Sequence, residues 1–193
     1  MELENTMVDS THDPSERMNN PETLRALFGP TILQILVAIT IPEDVLSRYP
    51  KLNDIVHVAV EIIPGMQGYI NNSTVPDVTA IFLICAWLFF PIHVGLLALE
   101  LRRHGAYSRI ASLSAHSGRY GMEKTILKVI AATLLCGYGL LFLPNDPYFI
   151  GRLGMNSSRL GLAVFGSCCF FTFSLCTSLG IYLVSYRIGR PHV

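Results

Sequence analysis

Charged residues are scarce in this sequence and are nearly absent from its longest segments. Asp, Glu, Lys and Arg make up 15% of the 193 residues, whereas 51% are hydrophobic. Soluble domains carry about 25% charged residues. Because the deficit is concentrated in long runs, the composition argues against an ordinary soluble domain and is typical of a membrane protein. The formal net charge is zero, so we expect no general attraction to nucleic acid.

Motifs for catalysis and cofactor binding are also missing. The sequence contains no P-loop, no GxSxG elbow, no HExxH motif and no paired carboxylates within an apolar run. A membrane enzyme needs a buried acid, base or metal cluster, so we predict a protein that is not an enzyme and uses no cofactor and no metal. The cysteines lie within apolar runs and lack CxxC spacing, so free, soft apolar thiols are expected. They are Cys85, Cys136, Cys168, Cys169 and Cys176.

Four apolar runs predict an all-α polytopic membrane protein with about four transmembrane helices, since lipid offers backbone amides no partners. The predicted spans lie near 27–46, 78–101, 126–143 and 160–186, within a helical membrane domain of residues 26–193. The first run, Leu27–Ile41, is shorter than the roughly 20 residues that cross a bilayer. The alternative is therefore three spans, with the first run lying in the interface. Residues 1–25 are polar and acidic, and we expect a mobile arm.

Basic residues between the second and third spans set the expected orientation. The loop 102–125 and the first turn of the third span hold Arg102, Arg103, Arg109, Arg119, Lys124 and Lys128. Short loops rich in Lys and Arg stay in the cytoplasm, so this loop and both termini are predicted to be cytoplasmic. The outer loop 47–77 has no basic excess, although Arg152 and Arg159 outnumber Asp146 in the second outer loop. We expect the basic residues to contact anionic lipid head groups or an acidic partner.

The outer loop contains a patterned segment with Asp54, His57 and Glu61 at spacings of three and four residues. On a helix these residues form a narrow polar stripe opposite a broad apolar face. The stretch 56–62 fits a strand about as well. We interpret it as an interfacial packing segment. A metal or proton pair of His57 and Glu61 is the alternative, and it lacks a third ligand at a recognisable spacing.

His93 is an ionisable residue inside the second span, and such residues normally face protein or water. Pro91 lacks an N–H, which frees the carbonyl of Trp87 one turn earlier, and a neutral imidazole suits such loosened backbone. Structural hydrogen bonding is one interpretation, and proton or ligand handling is the other. At the end of this span, Glu100 is expected to pair locally with Arg103 or His104.

The fourth span carries a ridge of small residues every four positions, formed by Cys168, Thr172, Cys176 and Gly180. Small side chains let membrane helices approach closely, because contact drives their association in lipid. We predict that this ridge packs against another helix, in the same chain or in another copy.

Residues 80–167 carry a resemblance to a known family. An apolar span ends in LELRRHG (99–105), a polar loop follows, a second span ends in LLFLP (140–144), and LAVFGS (162–167) comes next. This order resembles the small hydrophobic inner-membrane subunits of type IVB secretion systems, of the Dot/Icm and IncI-conjugation kind. The resemblance implies membership of a multi-protein secretion or conjugation machine in a bacterial inner membrane, without enzymatic activity.

The sequence therefore predicts a non-enzymatic integral inner-membrane subunit of a multi-protein assembly, whose partners are lipids and other membrane proteins or copies of itself. A small transporter or channel that uses His93 in a polar path is one alternative. A membrane immunity or exclusion protein is another.

Overall fold

The structure, a computed structural model, describes residues 21–103, 106, 110, 112, 121–142 and 158–188. The regular secondary structure of these residues is all helical, which confirms the predicted all-α class. The helices are α1 (Pro21–Thr40), α2 (Val45–Arg48), α3 (Pro50–Ile62), α4 (Met66–Asn71), α5 (Pro76–Arg103), α6 (Gly121–Phe142) and α7. Helix α7 consists of Arg159–Gly161, a π-helical segment Leu162–Gly166, and Ser167–Ile188.

Helices α5, α6 and α7 are long and apolar enough to cross a membrane. They contain the predicted spans 78–101, 126–143 and 160–186, apart from residue 143, which lies outside the described residues. Helix α1 has a shorter apolar stretch, Phe28–Thr40. The whole helix of 20 residues is about 30 Å long at 1.5 Å per residue, but its first turns carry Glu22 and Arg25. The apolar stretch alone covers about 20 Å, which is less than the roughly 30 Å hydrocarbon core of a bilayer. The architecture is that of a polytopic membrane protein of about four spans.

Helices α5 and α7 run parallel to each other at the centre of the bundle. Near their beginnings, a Cβ added to Gly166 would lie 2.9 Å from the Phe82 ring. Further along both helices, Ser178 Oγ donates a 3.0 Å hydrogen bond to the carbonyl oxygen of Val94. The N-terminal part of α5 therefore contacts the N-terminal part of α7, and the C-terminal parts contact each other, as in two parallel helices. Between these contacts, the aromatic rings that pack across the interface are Trp87, Phe90, Phe170 and Phe173.

Helix α1 lies antiparallel to α7 and also packs against α5. Phe28 stacks on Phe171 with ring centroids 5.8 Å apart, and near the other end Arg159 Nη1 donates to the carbonyl oxygen of Ile39 at 3.2 Å. Because α1 runs alongside both central helices, the structure favours four spans over an interfacial first run.

Two predicted boundaries around α1 need correction. The span was expected to reach residue 46, but the helix ends at Thr40, because Ile41 precedes Pro42 and a residue before proline is disfavoured in helical conformation. Residues 21–25, predicted as part of a mobile arm, form the beginning of α1. The rest of that arm, residues 1–20, lies outside the described residues.

The segment predicted as an outer loop at 47–77 is folded largely into short helices, namely the end of α2 together with α3 and α4. Gly65 separates α3 from α4 with a φ of 78°, a left-handed conformation that glycine adopts without steric cost. The carboxylate of Asp77, in the first turn of α5, accepts a 3.0 Å hydrogen bond from the backbone N–H of Leu46. This bond ties the start of α5 to α2, so the segment packs on the bundle.

Helix α6 packs antiparallel against α7. A Cβ added to Gly137 would lie 3.2 Å from the Phe173 ring, and one added to Gly180 would lie 3.7 Å from the side chain of Val129. The opposite side of α6 carries exposed apolar residues, which are Leu127, Ile130, Leu134, Leu135 and Tyr138. Of the three long apolar helices, α6 is the least buried.

Candidate functional site

A line of buried polar side chains follows one face of α5. Thr79, His93 and Glu100 are separated by multiples of seven residues, with Ala86 at the intervening position. Their exposed fractions are 0%, 1% and 6%. Positions seven apart return to nearly the same face of a helix, so these side chains point into the bundle along most of the length of α5. Polar groups in such a position are costly in a membrane and indicate function by default.

Helix α7 contributes a second set of buried hydroxyl groups, Ser167, Ser174 and Ser178. Their spacings of seven and four also place them on one face. Ser178 Oγ donates to the carbonyl oxygens of Val94, at 3.0 Å, and of Ser174, at 2.6 Å. This bond places the α7 hydroxyls on the side of α5 that carries His93. Together with Thr79, His93 and Glu100, these three serines are called the buried polar line below.

His93 lies in the interior of the bundle, where its ring is 5.6 Å from the ring of Phe171. The preceding Pro91 is accommodated within a continuous helix from Pro76 to Arg103. The burial agrees with the expectation that an intramembrane histidine faces protein. The choice between a structural hydrogen bond and proton handling stays a prediction.

Glu100 closes the buried polar line at the end of α5. Its carboxylate accepts a 3.0 Å hydrogen bond from Arg103 Nη1, in a pair whose side chains are 8% and 59% exposed respectively. The acid therefore lies inside and its cation lies at the edge of the bundle. The predicted local pair with Arg103 is confirmed, while the alternative partner, His104, lies outside the described residues.

Exposed basic side chains gather at the same end of the bundle. Arg102 and Arg103 end α5, and Lys124 and Lys128 lie in the first turns of α6, all of them exposed. The antiparallel packing of α6 on α7 brings the start of α6 to the end at which α5 and α7 finish. We call this surface the basic end. Arg109 and Arg119, predicted to share its role, lie outside the described residues.

The two halves of the predicted small-residue ridge on α7 have different environments. Gly180 faces α6, and the Cys176 thiol contacts that of Cys136 on α6. Cys168 and Thr172 are exposed within this chain. Packing of a second chain against Cys168 and Thr172 stays a prediction.

Helix α3 decides between the helix and strand interpretations of the segment around His57. The segment is helical, so the strand interpretation is wrong. Asp54, His57 and Glu61 are exposed on one side, and Val56 is buried on the other. No group of three His, Cys, Asp or Glu side chains that could hold a metal is present in the part of the chain that the structure describes.

Several of the buried polar residues were not predicted from the sequence. Thr79, Ser167, Ser174 and Ser178 could have been found from their spacings of seven and four residues, and Gln34 as the lone amide of the first apolar run. Among the described residues, the buried side-chain atoms without a hydrogen-bond partner are Gln34 Oε1 and Ser167 Oγ. That property depends on packing and has no signal in the sequence.

Fold and site together define an integral membrane protein of the polytopic α-helical class, with a polar line inside its bundle and a basic end. Comparison of the chain with protein-family models, with curated protein sequences and with solved structures finds no match.

Proposed function

We propose that the protein is a non-enzymatic subunit of a multi-protein assembly in a bacterial inner membrane, and that its basic end is the contact surface. The observation that carries this proposal is the clustering of exposed cations Arg102, Arg103, Lys124 and Lys128 at one end of the bundle. Each cation near an anionic surface contributes about 1 kcal/mol. Such a cluster suits lipid phosphates and an acidic partner segment.

The kind of assembly is proposed from the resemblance in residues 80–167. The order of two apolar spans around a basic loop is similar to that of type IVB secretion subunits, so a secretion or conjugation machine is the assembly we favour. The exposed Cys168 and Thr172 on α7 offer a second, close-packing surface toward a neighbouring chain.

Affinity purification from gently solubilised membranes tests this role. The variant Arg102→Glu/Arg103→Glu/Lys124→Glu should lose at least half of the partners that co-purify with the wild type, because it reverses the charge of the basic end. Lys51→Glu is the matched control, since Lys51 is exposed at the opposite end, and it should retain them. An unchanged set of partners in the triple variant, at equal membrane abundance, would contradict the proposal.

The buried polar line favours a second candidate function, a small conduit for protons or a polar solute. His93 lies within this line, seven residues before Glu100, which closes it at the basic end. In reconstituted liposomes, His93→Ala should abolish flux of the conducted species, whereas His57→Ala, at an exposed histidine on α3, should leave flux unchanged. Equal flux in the two variants, or no flux with the wild type, would exclude His93 as a conducting group.

A further inference from the structure

Two oxygen atoms deep in the bundle lack hydrogen-bond partners among the described residues. They are Oε1 of Gln34 on α1 and Oγ of Ser167 on α7, and the two residues are 2% and 1% exposed. Leu33 and Leu36, which flank Gln34, are exposed, whereas Ala38 one turn later is fully buried. The Gln34 side chain therefore points toward α5 and α7. An unpaired polar atom is costly in such surroundings.

The π-helical segment explains why the Ser167 hydroxyl is not bonded within its own helix. Several hydroxyls in α6 and α7 donate to the carbonyl four residues earlier, as Thr133, Thr177 and Ser178 do. For Ser167 that carbonyl belongs to Ala163, inside Leu162–Gly166, where bonding follows the wider π pattern. The hydroxyl is consequently available to a group outside the helix. Single π turns of this kind recur at functional sites.

The register of α1 against α7 places the two oxygens at one level. Phe28 meets Phe171, and Ile39 meets Arg159, so Gln34, halfway between the α1 residues, lies level with the π segment. Helix α1 packs directly against that segment, and Ser167 follows it immediately. Both oxygens therefore border the same region between α1 and the π turn.

We propose that Gln34 Oε1 and Ser167 Oγ are ligands of a small monovalent cation, with backbone carbonyls of Leu162–Gly166 completing the coordination. Both atoms are neutral oxygen acceptors, and irregular backbone next to side-chain oxygens is how membrane bundles hold Na⁺. A divalent ion calls for carboxylate ligands, and no acidic residue lies in α1 between Leu27 and Thr40 or in α7. This inference goes beyond the proposed assembly role and does not depend on it.

Thermal unfolding of the purified full-length protein in detergent tests the site. The measurement compares NaCl with choline chloride at equal ionic strength. Wild-type Tm should rise saturably with Na⁺, because an ion that binds only the folded state stabilises it. The rise should be lost in Gln34→Leu and in Ser167→Ala. Thr172→Ala is the matched control, since its hydroxyl is exposed and already donates to Cys168, and it should keep the full rise.

The choline arm separates a cation site from a direct bond between the two side chains. Without Na⁺, Gln34→Leu and Ser167→Ala should unfold at or above the wild-type Tm, because each removes an unpaired buried oxygen. A lower Tm for both variants in choline would show that the oxygens pair with each other and would overturn the proposal. It would also be overturned if Na⁺ and choline gave the same wild-type Tm, as expected for a bound water, or if both variants kept the Na⁺-dependent rise.

Discussion

Several hydroxyl groups of α6 and α7 are satisfied within their own helices. Thr133 donates to Val129 and Thr177 to Phe173, each across one turn. Such bonds remove the cost of a polar side chain in lipid without calling for a partner helix. The Ser178 hydroxyl also donates a hydrogen bond to the carbonyl of Val94 on α5. This bond links the two central helices.

Close contact at Gly166 yields a residue-scale prediction. A Cβ there would lie 2.9 Å from two atoms of the Phe82 ring, and Phe82 is 0% exposed, so the ring has little room to move. Gly166→Ala should therefore destabilise the protein by about 1–3 kcal/mol through overpacking. Unfolding in detergent with increasing denaturant measures the change.

Gly95 on α5 provides the matched control for Gly166, because a Cβ there meets nothing within 4 Å. Gly95→Ala should leave stability unchanged or raise it by up to about 1 kcal/mol, owing to the better helix propensity of alanine. Equal destabilisation of the two variants would show that glycine is needed at both positions for a reason other than the Phe82 ring.

The burial or pairing of a single residue was predictable where it depends on neighbouring positions in the sequence. The burial of His93 follows from its place in an apolar run, and the pairing of Glu100 with Arg103 follows from a spacing of three. The unpaired state of Ser167 was not predictable, because it depends on a π turn that no spacing in the sequence indicates. The same holds for the inward direction of Gln34, which is set by the packing of α1 on two other helices.

At the scale of elements, the apolar runs predicted where the long helices lie. The position of Pro42 marks the end of α1 more closely than hydrophobicity does. The spans 78–101 and 160–186 were found within a few residues, since twenty-residue apolar runs have few other solutions in lipid. The first span was predicted to reach residue 46 because residues 42–46 were expected to be drawn towards the interface. The helix ends at Thr40 instead, because Ile41 precedes Pro42. The folding of 47–77 into helices packed on α5 depends on tertiary contacts such as Asp77 with Leu46.

The sequence did not predict which helices are neighbours in the bundle. Alternation of spans implies that α5 and α7 are parallel, but not that they are neighbours. Their contact is made by aromatic residues and by the bond from Ser178 to Val94. The ridge on α7 was found from its spacing, whereas its division between a half that packs on α6 and an exposed half was not. Small residues indicate close approach without naming the partner.

For the whole molecule, charged residues form local ion pairs at both ends of the bundle, and Glu100 with Arg103 is the pair at the basic end. At the end opposite the basic end, Arg48 pairs with Asp44 at 2.6 Å and Arg159 pairs with Glu43 at 3.1 Å. A hydrogen bond from Arg48 lowers the pKa of the Asp44 carboxyl, so that pair stays charged well into acid. Arg159, which counted against the orientation in the sequence, is thus engaged in holding α7 to α1.

Orientation can be tested with one lysine from each end of the bundle. Lys51 lies in the first turn of α3 and Lys124 lies in the first turn of α6, and both are exposed. On intact cells, a membrane-impermeant maleimide should label Lys51→Cys and spare Lys124→Cys, because loops rich in Lys and Arg stay in the cytoplasm. Permeabilised cells should show labelling of both variants.

The native thiols make this comparison possible without a cysteine-free background. All five cysteines lie within the membrane-spanning helices, where a water-soluble reagent does not reach them, so the wild type should show little labelling in either preparation. Labelling of Lys124→Cys on intact cells would place the basic end outside. An acidic partner in the cytoplasm could then no longer meet Arg102, Arg103, Lys124 and Lys128, and the proposed assembly role would have to be given up together with the orientation.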